Sequence, residues 1–313
     1  MQNKFNRLAI ISDCVHYYDA NGNAVTENHI FRKQMLELSK YFKHTTLYCA
    51  FEKFTADKIV TAYDNAAIDF YALPNAGGNS WRDKIKIIQA FPAWLKAFKH
   101  ARANADIIYQ RFPNNLNIPG FFYFRLYNAK VFATFTGTWA NYKGEPVTYR
   151  FQKWLLKNFF KGPVAAYIPE GHAEGKIFKT ISPSYSLEEW NAEEEQVCRR
   201  VKILKQQFSE TPVFITVGGL VPKKNQQYIL DTFCLLHKEG FAFKLYVAGD
   251  GVLKDAYQKF IDENNLGDKI FLTGKKTDTE LKALYRESNF LVQATLAEGF
   301  GKVPIEGFFH GVI

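Results

Sequence analysis

A chain of 313 residues with 47% hydrophobic content is long enough for two ordinary domains with real cores. No run reaches the ~18 apolar residues of a membrane-spanning helix. Met1 to Arg7 opens without a secretory signal, and Cys14, Cys49, Cys198 and Cys234 form no CxxC pair, which predicts a reducing compartment and no metal site. The net charge of +9 is lopsided: residues 1–170 hold 22 Lys+Arg against 12 Asp+Glu, and residues 171–313 hold 18 against 19. Only the first half is therefore expected to meet something anionic: a membrane surface, an acidic acceptor or a nucleic acid.

In chain order, Leu8-Ala9-Ile10-Ile11 closing on Ser12-Asp13 predicts a buried strand and a loop, and 19–23 (Asp-Ala-Asn-Gly-Asn) predicts a turn. A helix follows through Ile30, Met35, Leu36, Leu38 and Phe42, then strands over 45–51 and 67–73, a long basic and aromatic helix over 81–103, and strands over 106–112 and 131–136. Residues 148–161 mix lysines with large apolar side chains. That pattern suits either a helix with one core face or one lying in a membrane interface near anionic lipid. The acidic run 188–195 reads as a solvated helix. Alternation then restarts: strands over 213–217, 243–248, 269–272 and 290–293, with helices over 225–239, 256–265 and 278–287 between them. Strands alternating with helices predict parallel sheets covered on both faces. The expected organisation is a first domain over 1–170, a connection over 171–211 and a second domain over 212–313.

Three loops of the second domain fall at strand carboxyl ends, where such sheets hold ligands. They are Gly218-Gly219-Leu220-Val221-Pro222-Lys223-Lys224, Gly249-Asp250-Gly251, and Glu298-Gly299-Phe300-Gly301. Their glycines offer backbone N–H groups, and Lys224 offers positive charge for a diphosphate. After the third loop, Pro304 suits a first helical turn, whose free N–H groups favour a phosphate. Glu298 and Glu306 lie eight positions apart on either side of that helix start. Carboxylates accept from paired hydroxyls, which a sugar or a ribose provides.

Order and spacing of four pieces resemble the retaining glycosyltransferases of family 4. The pieces are Val217 to Lys224; Val247-Ala248-Gly249-Asp250-Gly251-Val252-Leu253; Phe271-Leu272-Thr273-Gly274 with Glu280 to Tyr285; and Glu298 to Glu306. The resemblance covers about 213–313. The first domain adds only its alternation, Asp106 to Arg111 and, loosely, Thr134 to Gly137. It implies a GT-B-like α/β fold of two Rossmann-like domains with parallel sheets facing across a cleft, the second incomplete. It implies a hexosyl-transferring, retaining enzyme using a nucleotide-sugar donor, usually without a metal or other cofactor, in the cytoplasm or at the inner membrane face during polysaccharide or glycolipid assembly.

Carried over residue by residue, the resemblance assigns Glu298 to the hydroxyls of the transferred sugar, with Lys224 on the diphosphate; these two are the catalytic candidates. Gly218, Gly219, Gly249, Gly299, Phe300, Gly301 and Lys302 join them as donor-binding residues, Glu306 takes the ribose hydroxyls, and Gly274 and Lys275 lie near the base. The chain departs from the family pattern in three ways. Gly219 stands where arginine is usual, with Lys302 as a substitute cation; Thr136 stands at the usual histidine position; and the chain stops at Ile313, which predicts a fragment with Phe308 and Phe309 uncovered and low activity. Three other readings stay open. They are a sugar-nucleotide epimerase, a non-catalytic sugar-nucleotide-binding module, and a basic nucleic-acid-binding protein, for which no helix-turn-helix, RNP or zinc-finger pattern is found.

Overall fold

The apolar run at the amino terminus sets the first sheet. β1 (Arg7–Ile11) buries every residue after Arg7, because a central parallel strand has helices on both faces. Two short strands follow, β2 (His16–Tyr18) and β3 (Ala24–Thr26), then α1 (His29–Ser39), β4 (His44–Glu52), β5 (Thr61–Ala62), β6 (Ile68–Pro74) and α2 (Trp81–Asn104). The unit continues through β7 (Ile107–Phe112), α3 (Asn117–Leu126), β8 (Val131–Phe135), α4 (Val147–Asn158), β9 (Val164–Ala166) and β10 (Ile177–Lys179). This computed structural model describes residues 5–55, 58–63, 68–77, 81–142, 144–168, 175–181, 185, 187–206, 211–296, 298 and 301–313, the side chains of 81–83 and 203–206 excepted.

The first sheet runs β10-β9-β8-β7-β1-β4, with β6 also on β4, and these pairings are all parallel. The short strands β2, β3 and β5 extend it from the end of β4, with antiparallel β2–β3 and β3–β5 pairs. Strand alternation sorts the two faces. Leu8, Ile10, Leu47 and Cys49 meet Phe31 and Met35 of α1 on one face. Ala9, Ile11 and Ile108 meet Trp94 and Phe98 of α2 and Phe124 of α3 on the other. On that second face, Phe112, Ala133 and Phe135 meet Leu155 and Leu156 of α4, so α2, α3 and α4 form one layer.

The second unit opens with α5 (Leu187–Gln206). It then alternates β11 (Val213–Val217), a single 3-10 turn at Pro222–Lys224, α6 (Gln226–Lys238), β12 (Lys244–Ala248), α7 (Lys254–Glu263), β13 (Ile270–Gly274), α8 (Asp278–Glu287), β14 (Phe290–Leu291) and α9 (Lys302–Phe309). Its sheet order is β13-β12-β11-β14, all parallel. The start of α8 is fixed by a reciprocal cap: Thr277 Oγ1 accepts from the Glu280 N–H (3.3 Å) while Glu280 Oε2 accepts from the Thr277 N–H (2.9 Å). Such a cap contributes ~1 kcal/mol.

The compact units are Met1–Ile181 and Ser182–Ile313. The expected connection over 171–211 is thus shared between them: β10 pairs with β9 in the first sheet, and α5 belongs to the second unit. The acidic face of α5 is paired as well as solvated, because Glu189 meets Lys282 at 3.6 Å and Glu193 meets Arg286 on α8. Phe309 is not uncovered: it stacks on Tyr185 with centroids 3.6 Å apart and meets Trp190 edge-on, whereas Phe308 is 60% exposed. Residues 148–161 do have a core face, and they also expose Phe151 and Trp154. Among the described residues no helix is long and apolar enough to cross a membrane.

Candidate functional site

In the second sheet β11 and β12 run straight into glycines, Gly218 and Gly249, and β13 ends on one, Gly274. The Gly218 N–H donates to Ala248 O (2.9 Å), the Gly249 N–H to Gly274 O (2.9 Å), and the Leu220 N–H to Asp250 O (2.9 Å). These bonds lace the ends of β11, β12 and β13 into one edge. A Cβ on Gly249 would lie 2.0 Å from Gly218 O, and one on Gly251 would lie 2.5 Å from Leu220 O, far inside contact distance. Gly219 differs, since the nearest atom to a Cβ there is Asp250 O at 3.8 Å. The family's usual arginine would therefore fit the backbone at this position.

Lys224 closes the 3-10 turn after β11. Its stem runs past Gly218, where a Cβ would sit 3.6 Å from Cε. Its ammonium pairs with a Glu298 carboxylate oxygen across 74 residues of sequence. The lysine side chain is 17% exposed and the glutamate 36%, so the pair lies at the surface with its cation mostly covered. The segment before Glu298 is tied to the same turn, because the Leu296 N–H donates to Lys223 O (3.0 Å) and Asn225 Nδ2 donates to Ala294 O (3.2 Å). Among the described residues, three side-chain polar atoms of this unit, Gln226 Oε1, Thr273 Oγ1 and His310 Nδ1, are buried without a hydrogen-bond partner. Gln226 opens α6 with its Nε2 on Gly219 O (3.0 Å), and Thr273 precedes Gly274 on β13.

Gly301 caps α9, with Lys302 as its first helical residue and Glu306 one turn further in. The Tyr285 hydroxyl donates to Glu306 Oε2 at 3.4 Å. Tyr285 is fully buried and stacks on His310, which shares a 3.2 Å hydrogen bond with the Tyr185 hydroxyl. Burial first, then the Glu306 carboxylate, push both tyrosine hydroxyls well above their usual range, so both stay protonated. Burial also pushes His310 down to about 4.

The structure therefore brings Lys224 and Glu298 into contact, places Gly218 and Gly249 beside them on the laced edge, and puts Gly274 next along it. Glu306 is held by a second cluster of Tyr285, Tyr185 and His310. Lys275 is exposed just after β13. Gly299 and Phe300 lie outside the described residues. Sequence reasoning missed Tyr185, Tyr285, His310 and Gln226. The available signal for Tyr285 was its place at the end of the Glu280–Tyr285 piece that carries the family resemblance.

Residues 201–313 match the family model of the glycosyl transferases group 1. An uncharacterized glycosyltransferase of Methanocaldococcus jannaschii is 37% identical over 91 residues, 29% of this chain and 24% of that protein. The serotype-specific mannosyltransferase WbdA of Escherichia coli is 33% identical over 101 residues, 32% of this chain and 12% of that protein. The match thus spans about a quarter of the archaeal relative's length. The crystal structure of HepE from Anabaena in complex with UDP and glucose superposes with a TM-score of 0.63 at 14% identity, covering 98% of this chain and 79% of that one. Residues 201–313 therefore belong to the group 1 glycosyl transferases, and the chain has the GT-B-type α/β fold with parallel sheets.

Proposed function

We propose that the protein transfers a hexose from a nucleotide-diphosphate sugar to a glycan or lipid-linked acceptor, with retention of configuration as in family 4 and with no metal or other cofactor beyond the donor substrate. The observation that carries this reading is the Lys224–Glu298 pair beside glycine-lined strand ends. In the reaction the bond from the anomeric carbon to the diphosphate breaks and the nucleoside diphosphate leaves with its electron pair. An acceptor oxygen takes its place on the same face of the sugar, and the acceptor hydroxyl's proton passes to an oxygen of the departing diphosphate. Lys224 and the Gly301–Lys302 helix start offset charge on the departing diphosphate, while Glu298 accepts from sugar hydroxyls and Glu306 from the ribose. Donor binding on this reading divides the resting ion pair, the lysine turning to phosphate and the glutamate to sugar. The UDP and glucose in the HepE complex, and the mannosyl transfer ascribed to WbdA, support a nucleotide-sugar donor.

The first unit supplies the acceptor side and sits against an anionic membrane surface, on the cytoplasmic face, as its surplus of ten positive charges (22 minus 12 over residues 1–170) favours. A thermal-shift screen against UDP-, GDP- and ADP-sugars tests the donor reading. A ligand at about 100 times its dissociation constant adds ~2.7 kcal/mol. No stabilisation by any of the three, in wild type and in Lys224→Met alike, overturns it.

A further inference from the structure

The layer formed by α2, α3 and α4 carries a feature that glycosyl transfer leaves unused. Between α2 and α3 lies a groove of about 580 Å³, walled by Ile87, Phe91, Trp94 and Leu95 on one side and by Ile118, Phe122 and Leu126 on the other. Asn115, the Tyr123 hydroxyl and the Trp94 indole are the polar groups among its lining residues, and none is charged. Its size falls within the roughly 300–1,000 Å³ of ligand sites, but it lacks the convergent polar groups that a sugar or nucleotide needs. The rim is greasy too: Ile88 is 73% exposed, Phe122 51% and Leu126 77%.

Charge decides what this groove accepts. Residues 84, 88, 91, 95, 99 and 102 recur at helical spacing and form one stripe of α2. The stripe reads Lys84, Ile88, Phe91, Leu95, Lys99, Arg102, apolar in the middle and cationic at both ends, and all six are exposed. Arg125 is exposed one residue before Leu126 on α3. From 84 to 161 the chain has thirteen Lys and Arg against two acids, Asp106 and Glu145. Both acids are already paired, Asp106 with Arg7 at 3.1 Å and Glu145 with Lys153 at 2.6 Å. On α4 of the same layer, Val147, Phe151 and Trp154 are exposed, with the two rings stacked. A peptide would have to bring its own acids to each end of the stripe and would leave α4 bare. A lipid leaflet supplies hydrocarbon for the groove and anionic headgroups for the rim at once, and aromatic side chains such as Trp154 favour its interface.

We infer that the α2–α3 groove seats a single hydrocarbon chain of an anionic membrane lipid, with Lys99, Arg102 and Arg125 around its phosphate at one end of the stripe and Lys84 toward neighbouring headgroups at the other. This rests on the membrane part of the proposed function and not on the transfer reaction.

Two measurements separate the groove from the surface. The first is titration of the protein with octyl, decyl and dodecyl phosphate, each kept below its micelle-forming concentration. A seated chain strengthens binding by about fourfold per methylene, and both Leu95→Asp and Leu126→Asp abolish that dependence while retaining the wild-type melting temperature. Affinity that does not change with chain length overturns the groove. The second is flotation with vesicles of phosphatidylcholine, with and without phosphatidylglycerol. Ile88→Asp, outside the groove lining, weakens binding to phosphatidylglycerol vesicles and leaves dodecyl phosphate affinity unchanged. Wild-type protein that ignores phosphatidylglycerol vesicles but shows the chain-length dependence overturns the membrane reading while sparing the groove. Concentration-dependent dimerisation that Phe91→Asp abolishes and dodecyl phosphate does not compete with assigns the face to a second copy and overturns the proposal.

Discussion

Gly249→Ala is the perturbation that tests the laced strand edge most directly. The added methyl would lie 2.0 Å from Gly218 O, so the β11 and β12 loops must separate by roughly 1 Å or more to reach ordinary contact. Overpacking of this kind costs ~1–3 kcal/mol. Opening the edge also weakens the Gly218–Ala248 and Gly249–Gly274 hydrogen bonds, each contributing ~1 kcal/mol. The sum is about 2–4 kcal/mol, a fall in melting temperature on the order of 10 °C for the second unit. Because the Lys224 stem packs against Gly218, the same shift moves the cation, and nucleotide affinity should fall about tenfold or more. Gly219→Ala is the matched control, since its methyl meets nothing nearer than 3.8 Å, and its stability should stay within ~0.5 kcal/mol of wild type. Calorimetric melting, with isothermal titration of the best sugar nucleotide from the screen, reads both effects. Equal melting temperatures for the two variants would refute the reasoning.

Lys224→Met should weaken nucleoside diphosphate binding by roughly tenfold to a hundredfold, the loss of one charge-assisted bond of ~1.5–3 kcal/mol; titration with UDP, GDP and ADP checks it. Glu298→Gln should do the reverse for the free nucleoside diphosphate, because it releases Lys224 from its ion pair, while abolishing sugar transfer; unchanged diphosphate affinity would show that the resting pair does not compete with the donor. Gly219→Arg places the family's usual cation where the backbone has room and should strengthen diphosphate binding by about tenfold, whereas Lys302→Ala should weaken it if that lysine is the present substitute. His16 and His310 are both buried and held down at about 4 from an ordinary 6.5, chiefly by burial. The unfolded chain therefore binds more protons between pH 6.5 and 4. Stability should be flat above that window and fall as pH drops through it, by on the order of a few kcal/mol for each histidine. Melting curves over that range should flatten in His310→Gln for the second unit and in His16→Gln for the first.

What the sequence made legible follows the range of the interactions. The runs 213–217 and 243–248 become β11 and β12 because continuous apolar strands suit only a sheet buried on both faces. The glycines at the strand ends were equally plain, since their neighbours are close in chain order or one strand away. Helix α3 escaped notice because Asn117-Ile118-Pro119-Gly120 looks like a turn and the following Phe-Phe-Tyr-Phe has no polar period. In the fold the proline lies in the first turn, where its lost N–H matters little, and Gly120 fits against Phe98, where a Cβ would meet the ring at 3.3 Å. β10 was hidden because a three-residue strand is specified by its partner β9, not by its own composition.

The pairing of Lys224 with Glu298 has the same origin. Each loop alone permits a solvated charge, and only the parallel order β12-β11-β14 sets the loop after β11 beside the one after β14. A lysine and a glutamate held this close neutralise each other at rest, which keeps a partly covered cation tolerable while no ligand is bound. The exposure of the pair, 17% and 36%, places it where solvent still reaches, so its net contribution to stability is about 1 kcal/mol or less. A contact that adds so little to the fold, yet whose two loops are tied by the Leu296–Lys223 and Asn225–Ala294 hydrogen bonds, is why we propose a divided binding site here and not a brace.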